Sequence, residues 1–285
     1  MIAVAGATGS VGQAVTREVI RSGELVRVLT RDAARAARFG DDVEVHVVDY
    51  DDPSTLERAF AGADRAFIAT GVNPRQVGDE MKLITAAADR GVDYAVKLSV
   101  QGAGGDYPVI VQRWNTEIEN ALRSSGLTAT IVRPATFFKA IGLAPRPLID
   151  AGLWGGDAGT GRAAFVGHDD VGVFAARLLL DRSIERASGS VDVEVVTGPD
   201  SLTIDNVQTL LTAHLGRAVT YVRRSEVEQR AILEDLGLPP LRIEVLLGLD
   251  AMLRDSIMAD VTDSFERLVG RRPVSFAEWL TTQDA

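Results

Sequence analysis

The first 134 residues alternate between two hydrophobic periods, and that alternation narrows the choice of fold more than anything else in the chain. Short β-branched runs, IAVAG (2–6), LVRVLT (25–30), VEVHVV (43–48), RAFIAT (65–70), YAVKLS (94–99) and TATIVR (128–133), read as strands. Between them VGQAVTREVIRSG, PSTLERAFAG, DEMKLITAAADRG and VIVQRWNTEIENALRSSG read as helices. Strands that alternate with helices pair in parallel, because each crossover is long enough to carry the chain back across the sheet. The expected architecture is therefore α/β, a Rossmann-type doubly wound parallel sheet with helices on both faces. The punctuation agrees: Asp52 precedes Pro53 at a helix start, and Gly23, Gly91 and Gly126 follow helix ends.

After Pro134 the pattern changes. Residues 139–165 hold Pro145, Pro147 and a run of glycines from Gly142 to Gly161, and read as irregular chain. DDVGVFAARLLLD (169–181) reads as a helix capped by Asp169 or Asp170. SVDVEVVTG (190–198) reads as one more strand, and LTIDNVQTLLTAHLG as a helix capped by Thr203 and ended by Gly216. The remainder is helical and aliphatic. The expected division is a nucleotide-binding sheet domain over 1–140, with 165–200 contributing to it, and a smaller, mostly helical domain over 141–285.

Several function classes drop out on composition. A formal net charge of −10 leaves no basic face for phosphate neutralisation, so nucleic acid is not an expected partner. The absence of cysteine removes disulfides, thiol chemistry and Cys-ligated metals, and His46, His168 and His214 form no metal-ligand motif. No apolar stretch reaches membrane-spanning length, and the glycine motif at residue 6 leaves no room for a signal peptide. A cytoplasmic protein is expected. The oligomeric state is open, a homodimer included.

The segment VAGATGSVGQAV (4–15) carries the chemistry. It joins the first strand to the first helix, where helix N-terminal N–H groups and the helix dipole meet a pyrophosphate. Gly6 permits the tight turn, Gly9 lets the backbone approach a phosphate, and Gly12 allows the helix to pack closely. Thr8 and Ser10 add hydroxyl donors, and Val11 completes the loop. At the end of the second strand an acidic residue would hold the ribose hydroxyls of NAD; this chain has Thr30 and Arg31. A guanidinium there grips a 2′-phosphate, so NADP(H) is favoured and NAD(H) remains possible. Arg35 is a candidate second contact. Asp49 and Tyr50, after the third strand, fall where the adenine edge would lie. Thr70, Gly71, Pro134 and Phe137 follow later strands and are further candidate cofactor contacts.

GATGSVG, VLTRDAARA, VVDYDDPSTLERAFAGADRAFI, KLSVQGAG, EIENALRSSGLTATIVRPATFF, DDVGVFAARLLLD, VVTGPDSLTIDNVQTLL and FERLVGRRPVSFAEW, in this order, resemble the NmrA-like family of atypical short-chain dehydrogenases/reductases. The resemblance covers nearly the whole chain. It implies a Rossmann domain with NAD(P)(H) and a small C-terminal domain forming one wall of a cleft. Typical short-chain reductases protonate the reduced carbonyl with a Tyr–x3–Lys pair, the lysine lowering the tyrosine pKa. Here the lysine position falls on Asn115 and the tyrosine position on Val111; Ser99 occupies the serine position and is the candidate catalytic residue. Tyr94 and Tyr107 stand elsewhere.

Two functions survive that loss. One is reduction of a quinone or other electron-poor aromatic, whose reduced oxyanion needs little protein acid. The other is a redox-sensing regulator that binds NADP without turnover and acts through a protein partner. Trp114, Phe138 and Trp154 are the candidate substrate-binding aromatics. His168 is a possible cleft residue, and Lys97 shares a strand face with Ser99.

Overall fold

The computed structural model describes residues 1–105, 107, 109–141, 146–184 and 186–283. Gly142 and Pro145 of the irregular stretch lie outside the described residues. The chain forms two compact units: Met1–Gly104, Trp114–Arg133 and His168–Glu194 make the first, and Gly105–Arg113, Pro134–Gly167 and Val195–Ala285 the second. Residues 105–113 and 134–140, expected in the sheet domain, belong to the second unit.

The first unit is built on β1 (Ile2–Ala5), α1 (Ser10–Arg21), β2 (Val26–Thr30), a 3-10 helical stretch (Ala33–Asp42), β3 (Glu44–Val47), α2 (Pro53–Phe60), β4 (Arg65–Ile68), α3 (Gln76–Asp89), β5 (Tyr94–Leu98), α4 (Ile110–Ser124) and β6 (Ala129–Pro134). The chain then passes through α5 (Phe138–Ile141), α6 (Arg146–Asp150) and two short strands, β7 (Gly155–Gly156) and β8 (Arg162–Ala163), before α7 (His168–Leu180) and β9 (Val191–Val196). A seven-stranded sheet runs β3-β2-β1-β4-β5-β6-β9. The pairs β1–β2, β1–β4, β2–β3, β4–β5 and β5–β6 are parallel. The Ala129 N–H donates to Ser190 O and the Ala135 N–H to Val196 O, the constant offset of a parallel pair.

The order reverses between β1 and β4, and in open α/β sheets ligands bind at that switch point, outside the carboxyl ends of the strands. On one face Ala3, Ala5, Leu29, Ile68 and Ile131 bury α2, α3 and α4 through Leu56, Phe60, Leu83 and Ile118. Helices α1 and α7 pack against each other. A side chain at Gly172 of α7 would bring its Cβ within 3.0 Å of Val11 O and 3.2 Å of Ala14 Cα, so glycine is what lets the two helices approach. Arg65 closes the end of α7 by donating to Leu179 O at 2.6 Å and Asp181 O at 3.1 Å.

The helix punctuation falls where the sequence puts it. The Asp52 carboxylate accepts the Ser54 N–H with Pro53 in the first turn of α2. Gly23, Gly91 and Gly126 take positive φ after α1, α3 and α4. Helix α7 begins one residue early, at His168, leaving Asp169 and Asp170 in its first turn, where they favour the positive end of the dipole.

In the second unit β10 (Leu202–Thr203) pairs antiparallel with β8, α8 (Ile204–Leu215) follows, and β11 (Val222–Arg223) pairs in parallel with β7. Helices α9 (Glu226–Asp235), α10 (Pro240–Arg254), α11 (Ser264–Val269) and α12 (Phe276–Thr281) complete it. Thr203 caps α8 in a reciprocal box with Asn206, and Gly216 ends it at φ 62°. The core gathers Phe138, Trp154, Phe165, Leu211, Leu253 and Phe276.

Candidate dinucleotide site

The glycine loop has the geometry its three positions demand. Gly6 sits at φ +78°, and a Cβ there would stand 2.5 Å from the carbonyl oxygen of Ala69 at the end of β4. A Cβ at Gly12 would lie 2.7 Å from the Gly6 carbonyl carbon and 2.9 Å from Ala7 Cα, and closer still to the Gly6 oxygen. Gly9 differs: its backbone is extended (φ −84°, ψ 167°), and a Cβ there would meet only the Gly6 oxygen at 3.3 Å, with open space beyond. As N-cap of α1, Gly9 offers no side-chain acceptor, and the first turn contains no acidic residue. The positive end of a 12-residue helix therefore opens outward uncompensated. Thr8 is half-buried and Ser10 exposed at the same opening, while Val11 is buried beneath it. This is the arrangement a pyrophosphate requires.

Beside the loop, at the carboxyl ends of β2 and β3, lies an open crevice of about 430 Å³ lined by Arg31, Val48, Asp49, Tyr50, Asp51, Arg75 and Asp79, among others. The Thr30 hydroxyl donates to Asp32 O at 2.9 Å, fixing the turn from which the exposed Arg31 projects. The Asp49 carboxylate accepts the Asp51 N–H at 2.9 Å and holds the following turn. Burial pushes the Tyr50 phenol up to about 12; the Asp79 charge adds to this and Arg31 opposes it, so Tyr50 stays a neutral, half-buried platform. Arg75 forks onto Asp51 at 2.7 and 3.0 Å and reaches Asp79 at 3.4 Å. The hydrogen bond from Arg75 holds the Asp51 carboxyl below its ordinary range. The Arg31 guanidinium stands on the wall of this crevice.

The segment after β4 is fixed from below. The Thr70 N–H and hydroxyl both donate to Glu80 Oε1, at 3.0 and 2.8 Å, and Gly71 lies exposed beyond them. Glu80 is ion-paired through Oε2 with Lys97 Nζ at 2.8 Å, both side chains being buried. Lys97 also donates to Leu98 O and to Asn115 Oδ1. The lysine that shares a strand face with Ser99 is thus a buried ion-pair partner. Ser99 itself is 3% exposed and donates its hydroxyl to Glu119 Oε1 at 2.6 Å. Burial drives the Glu119 carboxyl up, but the bonds from Arg133 and Ser99 outweigh it and hold the carboxyl below its usual range. Arg133 contributes two of those bonds, from Nε at 2.9 Å and Nη2 at 2.5 Å. Ser99, the candidate catalytic residue, therefore sits buried against the Glu119 carboxylate of α4.

The aromatic candidates divide. Phe138, 1% exposed, packs its ring 5.4 Å from Phe276 and 5.5 Å from Trp279. Trp154, 4% exposed, meets Tyr221 edge-on at 5.0 Å. Both are buried in the core of the second unit. Trp114 is half-buried on α4. Pro134 is buried, and Phe137 is half-buried where its backbone bridges to Val166. His168 is half-buried at the start of α7. Tyr94 is buried and donates to Thr130 Oγ1 at 2.7 Å; the Tyr107 hydroxyl donates to Asp255 Oδ2 at 2.7 Å. Burial and that carboxylate push the Tyr107 phenol up to about 12, the wrong direction for a proton donor at neutral pH. Among the described residues no group of His, Asp and Glu side chains is arranged to hold a metal ion.

Reading the sequence missed Glu80, Glu119, Arg133 and Arg75. For the two glutamates a signal was present. Glu80 sits in the stripe Gln76, Glu80, Leu83, Ile84 and Ala87, and Glu119 in Val111, Asn115, Ile118, Glu119 and Leu122. A carboxylate on the apolar face of an amphipathic helix is seldom buried without a cation.

Comparison with known proteins identifies the family of the chain. The NmrA-like family matches residues 1–254. The NAD(P)H azoreductase of Xenophilus azovorans is 29% identical over 286 residues, covering 100% of this chain and 98% of that one. The (4-alkanoyl-5-oxo-2,5-dihydrofuran-3-yl)methyl phosphate reductase of Streptomyces griseus is 32% identical, covering 98% and 96%. The crystal structure of an Escherichia coli NADPH-dependent quinone oxidoreductase complexed with NADPH superimposes with a TM-score of 0.90 at 25% identity, covering 99% of each chain.

Proposed function

The chain belongs to the NmrA-like family, and we propose from that premise that it is an NAD(P)H-dependent reductase of a quinone, azo compound or related electron-poor aromatic, acting without a Tyr–x3–Lys acid. The observation that carries the proposal is the uncapped start of α1 opening beside a crevice with Arg31 on its wall. Gly9, Thr8 and Ser10 fit a pyrophosphate there, and Asp49 and Tyr50 fit the adenosine. Arg31 fits a 2′-phosphate, which makes NADP(H) the preferred cofactor. The nicotinamide, when bound, supplies a hydride.

What the chain's own residues lack sets the substrate class. Val111 and Asn115 stand where the acid pair would be, and the hydroxyls of Tyr94 and Tyr107 are tied to Thr130 and Asp255. An aliphatic ketone needs a proton as its oxyanion forms. A quinone accepting a hydride yields a phenolate delocalised over the ring, which takes its proton from water afterwards. The relatives that act on azo compounds and quinones support this class.

Steady-state oxidation of NADPH against a panel of quinones and azo dyes tests the proposal. Saturable turnover with at least one acceptor, and none with simple aliphatic ketones, is expected. The same missing acid favours a second reading, a non-catalytic NADP-binding regulator acting through a protein partner. Tight NADPH binding with no oxidation across the panel would replace the first reading with the second.

A further inference from the structure

The proposed chemistry leaves a fully buried ion pair unused. Lys97 and Glu80 lie beneath the carboxyl end of the sheet with side chains 0% and 1% exposed and Nζ 2.8 Å from Oε2. Removing two ions from water costs several times what one ordinary hydrogen bond returns, and an apolar pair of equal volume often serves stability as well or better. Stability alone therefore does not account for charge at this place.

The remaining bonds of the pair point to what it does. Glu80 Oε1 takes the Thr70 N–H, the Thr70 hydroxyl and, at 3.2 Å, Gln76 Nε2. Thr70 follows Ala69, the residue whose carbonyl oxygen stands against the Gly6 turn. The carboxylate therefore sets the backbone that walls the glycine loop at the switch point between β1 and β4. Lys97 Nζ reaches Asn115 Oδ1 of α4 at 2.7 Å. Asn115 is the position at which the resemblance puts the lysine of Tyr–x3–Lys, so an ammonium group arrives at the same turn of α4 from the strand beneath.

We propose that the buried Glu80–Lys97 pair is the positioning device of this site, holding through Thr70 the wall against the Gly6 turn and through Asn115 the facing turn of α4. The inference rests on the dinucleotide reading of the glycine loop. It makes neither residue catalytic: Lys97 is ion-paired with Glu80 and donates hydrogen bonds to Leu98 O and Asn115 Oδ1, and both side chains are buried.

The test separates positioning from stability. In Glu80→Met/Lys97→Met both charges go together, and an apolar pair fills the space. Thermal unfolding of the ligand-free variant is expected within a few degrees of wild type, while calorimetric titration shows NADPH bound at least about tenfold more weakly. Lys97→Met alone, which strands a buried carboxylate, should unfold at a markedly lower temperature. Thr70→Val, which removes one of the bonds to Glu80 at a half-buried position and keeps the pair intact, should weaken NADPH about threefold to tenfold with unchanged unfolding. A folded double variant that binds NADPH within twofold of wild type would overturn the inference, as would wild-type affinity in Thr70→Val should the double variant not fold. Failure of the wild-type chain to bind any dinucleotide would instead overturn the reading on which it rests.

Discussion

Two glycines in one loop should fail in opposite ways when given a side chain. At Gly12 an added methyl would press on the Gly6–Ala7 backbone, with atoms at 2.7 and 2.9 Å and the Gly6 oxygen nearer still. Backbone cannot yield as a flexible side chain does, so α1 must move away from the loop; overpacking of this kind costs about 1–3 kcal/mol. At about 2–4 °C per kcal/mol for a chain of roughly this size, Gly12→Ala should lower the ligand-free unfolding temperature by roughly 2–12 °C. At Gly9 the backbone is extended at φ −84°, a region open to any residue, and the nearest atom to a Cβ is 3.3 Å away. Gly9→Val should therefore unfold within about 1 kcal/mol of wild type. Its side chain fills the space in front of the α1 N-terminus. Losing two charge-assisted bonds to the pyrophosphate, at roughly 1.5–3 kcal/mol each, weakens NADPH by more than about a hundredfold. Differential scanning fluorimetry of the ligand-free proteins and calorimetric titration with NADPH read the two effects separately. Wild-type affinity in a folded Gly9→Val would show that the phosphates sit elsewhere, and unchanged unfolding of Gly12→Ala would refute the close packing of α1 on the loop.

Other perturbations test neighbouring parts of the account. Arg31→Ala should weaken NADPH about tenfold or more and leave NADH little changed, as expected for loss of one charge-assisted contact of roughly 1.5–3 kcal/mol; equal loss for both nucleotides would remove Arg31 from the 2′-phosphate. Burial raises the Asp250 carboxyl of α10 from its ordinary 3.8 to about 7, so the folded chain holds a proton there that the unfolded chain has released. Its contribution to stability is full below about pH 4 and is lost as pH rises through 7, by at most about 4 kcal/mol. Asp250→Asn should flatten that part of the stability curve, and parallel wild-type and variant curves between pH 5 and 8 would refute it. Tyr94→Phe and Tyr107→Phe should each leave kcat/KM within a few fold, whereas removal of a true general acid costs about 10²–10⁴-fold; a collapse in either would mean that a tyrosine acid has been rebuilt by another route.

The sequence made the sheet legible because its two periods are clean. Strands such as IAVA and VRVLT are buried along their length, and the helices between them end on glycines that take positive φ. The glycine loop was legible for the same reason: Gly6 and Gly12 each answer a separate steric demand. The polar interior was not. Ser99 and Lys97 were visible as residues, but their partners Glu119 and Glu80 come from helices 20 and 17 positions away in the chain. Pairing of that kind is decided by how α3 and α4 rotate onto the sheet. The packing partners of the aromatic residues were illegible for a related reason. Phe138 directly follows the candidate cofactor contact Phe137, and its ring packs against Phe276 and Trp279, more than a hundred residues on. Apolar side chains go where most apolar surface can be covered, and local sequence does not say where that is.

The central claim is that the glycine loop holds a nicotinamide dinucleotide whose reducing equivalents pass to an electron-poor aromatic. Its most direct test is a single-turnover experiment, in which NADPH bound to a stoichiometric excess of protein is mixed with a quinone and the nicotinamide absorbance is followed. The account predicts oxidation whose rate saturates with quinone concentration in the wild type and is lost in Gly9→Val. NADPH that stays bound and reduced in the wild type across the quinone and azo panel, or turnover that survives in Gly9→Val, would contradict it.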